Sequence, residues 1–222
     1  MIATLLPTSV QARTIADLLH DLGDIPADRV LLRPAPGAAT ERDLLDLLEQ
    51  EGRACELVDG TLVEKPLGTI ESFLAAILIQ VLRNFTSAKK LGMVSGEQGP
   101  YRLRLGLVRL PDVAFISWSR IPGDLKDLPA IAPVVPNLAI EVLSESNTKA
   151  EIKRKLEEYF ASGVQLAWIF DPRAKALAVH LSAGPPDQIL SQADTLDGGA
   201  VLPGFELKLA DLFAELERPG PS

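Results

Sequence analysis

The chain is poor in the residues that build most protein metal sites. Its 222 residues include one cysteine, Cys55, and two histidines, His20 and His180. A single cysteine excludes an intrachain disulfide and a four-cysteine zinc site. Any metal site must therefore be built mainly from carboxylates, and oxygen donors favour Mg²⁺, Mn²⁺ or Ca²⁺ over zinc. Basic charge is also short: 22 Lys and Arg face 30 Asp and Glu, a formal charge of -8. No global field draws such a chain to nucleic acid. That argues against a general DNA-coating protein, and less against an enzyme whose basic groups cluster locally. Long apolar runs are missing as well. The longest, Phe73 to Leu82, is interrupted by Gln80 and is far too short to span a bilayer. The opening MIATLLPTSV has no basic n-region, so no signal peptide is read and a cytoplasmic location is expected. Aromatics are scarce, at 5% against 47% hydrophobic residues, which suits an aliphatic α/β core and speaks against disorder.

The length fits one domain, or one domain with an N-terminal extension. Residues 1–40 read as a helical arm and a Pro-rich connector, 41–216 as the main domain, and 217–222 as a tail. In the arm, Val10, Ile15, Leu18, Leu19 and Leu22 recur at helical spacing over Ser9–Leu22, with Gly23 as a stop. A second helix is expected over Glu41–Glu51, capped by Thr40 and ended by Gly52. CELVDGTLVEK is a hairpin on a type I′ Asp59-Gly60 turn. Thr69 can cap a helix running to about Phe85, apolar nearly all round and therefore buried. Glu71 in its first turn serves either the helix dipole or, as a third acid, a metal. The Gly-rich Gly92–Gly99 reads as a mobile connector. YRLRLGLVRL then alternates, with Tyr101, Leu103, Leu105 and Leu107 on one face. Arg102, Arg104 and Arg109 form a basic strip that is either a solvated strand face or a phosphate contact. IPGDLKDLPAIAPVVPN, with four prolines, is long enough to be a flap or a substrate-side wall.

The chemistry concentrates between Leu110 and Asp171. Asp112 opens the strand-like LPDVAFIS. Glu141 interrupts LAIEVLS, a near-continuous apolar run that reads as a strand buried on both faces. A carboxylate there costs on the order of several kcal/mol unless a cation or hydrogen bonds meet it. Thr148 and Glu151 form a capping box for a helix ending at Gly163. Its apolar stripe is Ile152, Leu156, Tyr159 and Phe160; Lys155 lies on the flank, where a lysine can bury its stem and extend its ammonium. His180, on a later strand, reads as an ordinary surface or edge residue. Two acids on neighbouring strands suffice for Mg²⁺, which keeps several waters, and the carbonyl of Val142 can add a ligand. Such an ion generates a nucleophilic water for phosphodiester hydrolysis, and Lys155 can stabilise the transition-state charge. A structural ion pair between Glu141 and Lys155 is the rival reading.

The ordered fragments ELVDG, KPLGTIES, LVRLPDVAFIS, AIEVLSESN, KLEEYFASGV, AWIFDP and VLPGFEL closely resemble the Uma-two family. That family carries a restriction-endonuclease label and is a branch of the PD-(D/E)XK nuclease superfamily. The resemblance runs from about Glu41 to Leu216. It implies an α/β fold with a restriction-endonuclease-like core, a mixed central β-sheet flanked by helices, and an endonuclease hydrolysing nucleic acid, most naturally DNA, with Mg²⁺ or Mn²⁺. By this match Asp112 and Glu141 take the metal-binding positions, Lys155 the helix-borne lysine and Glu71 the acidic position of the first core helix. A homodimer is compatible with cutting two strands. One departure stands out: the superfamily's acid-x-lysine would put lysine where Leu143 stands, so activity depends on Lys155 reaching the site from its helix. The alternative is a catalytically inactive nuclease-fold module that binds nucleic acid or a protein partner.

Overall fold

The computed structural model describes residues 14–66 and 68–217. Thr14 opens helix α1 (Ile15–Asp21) through a capping box with Asp17; residues 9–13 of the expected Ser9–Leu22 helix lie outside the described residues. Thr40 caps α2 (Glu41–Asp46) the same way. The chain then widens into a π turn over Leu47–Glu51 and stops at left-handed Gly52. Strands β1 (Cys55–Val58) and β2 (Thr61–Glu64) follow, joined by Asp59 and Gly60, both at positive φ (49° and 74°). That is the type I′ geometry a two-residue hairpin favours. A Cβ on Gly60 would lie 2.6 Å from the Gly37 carbonyl oxygen, so the N-terminal arm rests directly on this turn. The arm also bonds to the hairpin through Leu31 N–H to Leu62 and Ala39 N–H to Gly60.

Beyond the hairpin come α3 (Thr69–Ala88), β3 (Gly92–Gly96), β4 (Tyr101–Arg104), β5 (Leu107–Arg109), β6 (Val113–Ser117) and β7 (Leu138–Val142). The chain continues with α4 (Lys149–Ser162), β8 (Leu166–Asp171), β9 (Ala176–His180), β10 (Gln188–Ser191), β11 (Thr195–Asp197), β12 (Glu206–Lys208) and α5 (Leu209–Leu216). A four-stranded sheet has the order β2-β1-β5-β4, and a six-stranded one the order β10-β9-β8-β7-β6-β3. In the larger sheet β7 and β8 run parallel while their neighbours pair antiparallel. Parallel neighbours need a crossover, and α4 supplies it. The result is a mixed central sheet flanked by helices. Along β7, Leu138, Ile140 and Val142 join α3 and α5 in the main core, whereas Ala139 meets Tyr159 of α4 on the other face. The two-residue period of the pleat puts Glu141 on that same α4 face.

Four expectations about this scaffold need correction. Gly92–Gly96 is the edge strand of the large sheet, not a connector: a Cβ on Gly92 would stand 1.9 Å from the Ile116 carbonyl oxygen. Glycine is there for close backbone approach. Tyr101–Arg109 is not one alternating run but two strands, broken at Gly106 (φ 75°), with Leu105 exposed at the turn. Helix α3 is capped by Gly68 rather than Thr69, and it is one-sided: Leu74, Leu78 and Leu82 are buried, but Phe73 is 58% exposed. His180 is buried, not a surface residue. Burial pushes its pKa below the ordinary value, and its Nδ1 has no hydrogen-bond partner. Among the described residues no helix is long and apolar enough to cross a membrane.

Candidate active site

Val113 of β6 pairs with Ile140 of β7, so the next pair outward along this antiparallel ladder sets Asp112 beside Glu141. Directly opposite residues share a face. Both acids line an open cleft of about 380 Å³, together with Lys65, Glu71, Phe73 and Lys155. Asp112 is fixed at both oxygens: Oδ1 accepts from Lys65 Nζ at 2.8 Å and Oδ2 from the Val142 N–H at 2.7 Å. Lys65 is itself anchored by donating to the Leu110 carbonyl at 2.5 Å. Val142 thus meets the site through its amide, where sequence reasoning looked to its carbonyl.

Glu141 is 4% exposed. Its Oε2 accepts from Lys155 Nζ at 2.8 Å and its Oε1 from the Tyr159 hydroxyl at 2.5 Å. Burial pushes this carboxyl above the ordinary range, with Lys155 pulling against it and the Asp112 charge adding to the rise. Burial also works against the charge on Lys155, but Glu141 and Glu56 outweigh it and hold the ammonium above the ordinary lysine value. Lys155 therefore remains a cation. Burial, then Glu141, raises Tyr159 well above a free phenol, so its hydroxyl stays a donor.

Helix α4 reaches this position by turning a polar stripe inward. Glu151, Lys155 and Tyr159, one helical turn apart, are all buried, while Ile152 and Phe160 are only partly so. The expected capping box is half formed: the Thr148 hydroxyl accepts from Glu151 N–H, but the Glu151 carboxylate serves elsewhere. It takes both guanidinium nitrogens of Arg29 (2.7 and 3.0 Å) and the Asn147 amide (2.9 Å). The arm locks the helix start a second time. The Thr148 hydroxyl donates to the Gly23 carbonyl, and a Cβ on Gly23 would meet the Glu151 backbone at 2.6 Å.

Three charged residues of this network escaped sequence reasoning or were misread by it. Glu56, fully buried on β1, accepts from Leu110 N–H (3.0 Å) and from Arg109 (2.6 Å), with Lys155 at 3.5 Å. It presents the same signal as Glu141, an acid inside an all-buried strand. Lys65 closes the hairpin just before Pro66 and carried no signal of its own. Arg109, expected in an outward basic strip, is buried between Glu56 and Glu158 (2.6 and 2.5 Å). Arg102 pairs with Glu41 at 2.5 Å and Arg104 with Asp59 at 2.7 Å. The strip is a set of ion pairs. The proline-rich loop is likewise no wall of the cleft; it buries Ile131 and Val134 and bridges Tyr101 through Ala132.

Glu71 lines the cleft but folds back over the helix start, its Oε2 where a Cβ on Gly68 would be, a place the helix dipole favours for a carboxylate. Among the described residues no group of three or more His, Cys, Asp or Glu side chains can hold a metal. The pair of acids that the cleft brings together at the strand ends is Asp112 and Glu141. It suits a hard divalent ion: Mg²⁺ takes one or two carboxylates and keeps its waters, and each carboxylate oxygen here has one hydrogen-bond partner and a second lone pair. Leu143 packs with Leu156 and Ile169, and the ammonium beside Glu141 comes from Lys155.

No curated protein matches the chain. Among solved structures it is similar to a "putative nuclease belonging to DUF820" from Anabaena variabilis, at a TM-score of 0.66 and 21% identity, over 80% of this chain and 98% of that one. At that identity the likeness speaks for the fold, which is restriction-endonuclease-like. Residues 42–210 match the family model Uma2, described as "Putative restriction endonuclease". Asp112, Glu141, Lys155, Lys65 and Glu71 all lie within the matched span, and the chain belongs to the Uma2 family.

Proposed function

We propose that the cleft is the active site of a divalent-metal-dependent endonuclease that hydrolyses phosphodiester bonds in DNA. One observation carries this reading: Asp112, Glu141 and Lys155, from two strands and a helix, converge at an open cleft although Glu141 and Lys155 are almost wholly buried. Holding such charges out of water costs several kcal/mol per ion, on the order estimated for buried ions after relaxation. A purely structural pair has no need of a cleft above it. Asp112 and Glu141 would hold Mg²⁺ or Mn²⁺, which supplies Lewis acidity and a bound water of lowered pKa.

The surrounding residues do the positioning. Lys65 and the Val142 amide orient Asp112. Tyr159 fixes the second oxygen of Glu141. Lys155 keeps its proton and presents a fixed positive charge where charge develops on the phosphoryl oxygens, the kind of preorganised donor that lowers a barrier. Glu71, on the cleft wall, is the further acid of the set. A second reading, an inactive nuclease-fold module, draws on the lysine already seated on each acid. Incubation of supercoiled plasmid and single-stranded DNA with Mg²⁺ or Mn²⁺ separates the two. Metal-dependent cleavage by the wild type and none by Asp112→Ala is expected. Equal survival of every substrate with both proteins overturns the endonuclease reading and leaves the binding module.

A further inference from the structure

Resting on that reading, we infer that the substrate strand enters single-stranded, with Phe73 as a stacking platform for a base beside the scissile phosphate. Duplex DNA is held chiefly by phosphate contacts from basic side chains. Here the arginines of the β4–β5 hairpin are taken by carboxylates, and the two lysines of the cleft sit on Asp112 and Glu141. With a formal charge of -8, the molecule adds no general attraction for a polyanion. Apolar surface is what the cleft offers instead. Phe73 lines it and is 58% exposed, in a helix whose other large apolar residues mostly turn to the core.

The cleft also does not end at Asp112. A second groove of about 450 Å³ shares Ser72, Glu97 and Asp112 with it and continues between α3 and the β3–β4 loop. The α3 side is small or apolar, with Ala75, Ala76 and Ile79, and the loop side sets Glu97 and Gln98 between Gly96 and Gly99. The two lobes therefore meet at a metal-binding acid. That arrangement suits a strand whose phosphate lies at Asp112 while the flanking nucleotides occupy the lobes. Unpaired bases stack on an aromatic ring whatever their identity, whereas bases paired within a duplex have no free face for it. The inference assigns Phe73 to substrate binding and specificity.

The experiment is fluorescence anisotropy with a labelled single-stranded oligodeoxynucleotide, its duplex, and the RNA of the same sequence. It is run in EDTA and again in Ca²⁺, with probe integrity checked by gel. The wild type should bind the single strand more tightly than the duplex. Phe73→Ala should weaken single-strand binding about 5- to 150-fold, the value of one base–aromatic stack, and Phe73→Trp should restore it. The RNA arm tells whether the platform discriminates the sugar: a Phe73-dependent gain on either strand supports stacking. Binding that favours the duplex, or no change in Phe73→Ala, overturns the inference while plasmid cleavage can still stand. Absence of wild-type binding to every probe in both buffers overturns it too. Cleavage lost in wild type, with stacking-dependent binding intact, would instead remove the endonuclease reading alone.

Discussion

Glu56 and Glu141 make the instructive pair. Each is a glutamate in a strand whose neighbours are all buried, and each approaches the ammonium of Lys155. Their surroundings differ in one respect. Glu56 is enclosed, with Leu110 N–H, Arg109 and Lys155 around its carboxylate. Burial works against its charge, but Lys155, Arg109 and Lys65 outweigh it and hold its pKa below the ordinary range. Glu141 has Lys155 and Tyr159 on its inner side, the cleft on its outer side, and a pKa displaced upward. The same anomaly in two strands thus has two meanings. A buried acid surrounded by donors holds the structure together; a buried acid with an open side toward solvent is available to a ligand.

Substitutions at the two glutamates test that contrast. The largest effect is expected for Glu141→Gln, which should lower metal-dependent cleavage by about 10²–10³-fold, the scale of losing one preorganised electrostatic group, and abolish Mn²⁺ heats in calorimetric titration. Its urea midpoint should fall as well, because an amide has one acceptor oxygen where Lys155 and Tyr159 each take one, and Lys155 keeps only Glu56, at 3.5 Å, as a counter-charge. Glu56→Gln should act on stability alone. Leaving Arg109 and Lys155 short of a counter-charge should cost about 3–5 kcal/mol in urea unfolding, with Mn²⁺ affinity retained by the folded protein. If Glu56→Gln lost Mn²⁺ binding while Glu141→Gln kept it, the two roles would have to be exchanged.

Arg29→Ala extends the comparison to a third buried pair and is expected to cost about 3 kcal/mol, the lower end of the same range, because Arg29 and Glu151 lie nearer the surface than Arg109 and Glu56. It carries a pH signature. Burial raises the Glu151 carboxyl, but the Arg29 hydrogen bonds and the Lys155 charge bring it below its ordinary 4.5. An acid lowered on folding contributes stability that is fully present above the unfolded value and lost as pH falls through the folded one. Wild-type stability should therefore drop below about pH 4.5 more steeply than that of Arg29→Ala, measured by urea titrations across acid pH. The smallest effect belongs to Arg104→Ala. Its half-exposed pair with Asp59 should contribute about 0.2–1 kcal/mol, and its loss should leave the salt dependence of nucleic-acid binding unchanged.

Local signals were legible where local chemistry decides. The Asp59-Gly60 turn, the Thr40 cap and the Gly52 and Gly163 stops all stand at the expected residues, because each depends on a dihedral or a hydrogen bond within a few positions. Glu141 was legible for the opposite reason: a carboxylate in an apolar strand demands a partner, and the lysine on the following helix is that partner. What misled was composition read without neighbours. Gly92 suggested mobility and instead permits a strand to close on Ile116. The arginines of β4 and β5 suggested a phosphate strip, yet their partners Glu41, Asp59 and Glu56 lie on other elements. Lys65 gave no sign, since nothing near it in the chain indicates that Asp112 will lie against its ammonium.

By itself, the sequence determined the hairpin, the two acids on adjacent strands and the lysine one helix later, since periodicity, turn chemistry and the cost of burying a carboxylate all act over short distances. Only the tertiary structure decided which charges face water. It set Glu141 on the floor of the cleft and Glu56 behind it, turned the polar stripe of α4 inward, and left Phe73 bare on the cleft wall. Those outcomes depend on how two sheets and a crossover helix meet, because desolvation and ion pairing are set by groups that approach in space from elsewhere in the chain.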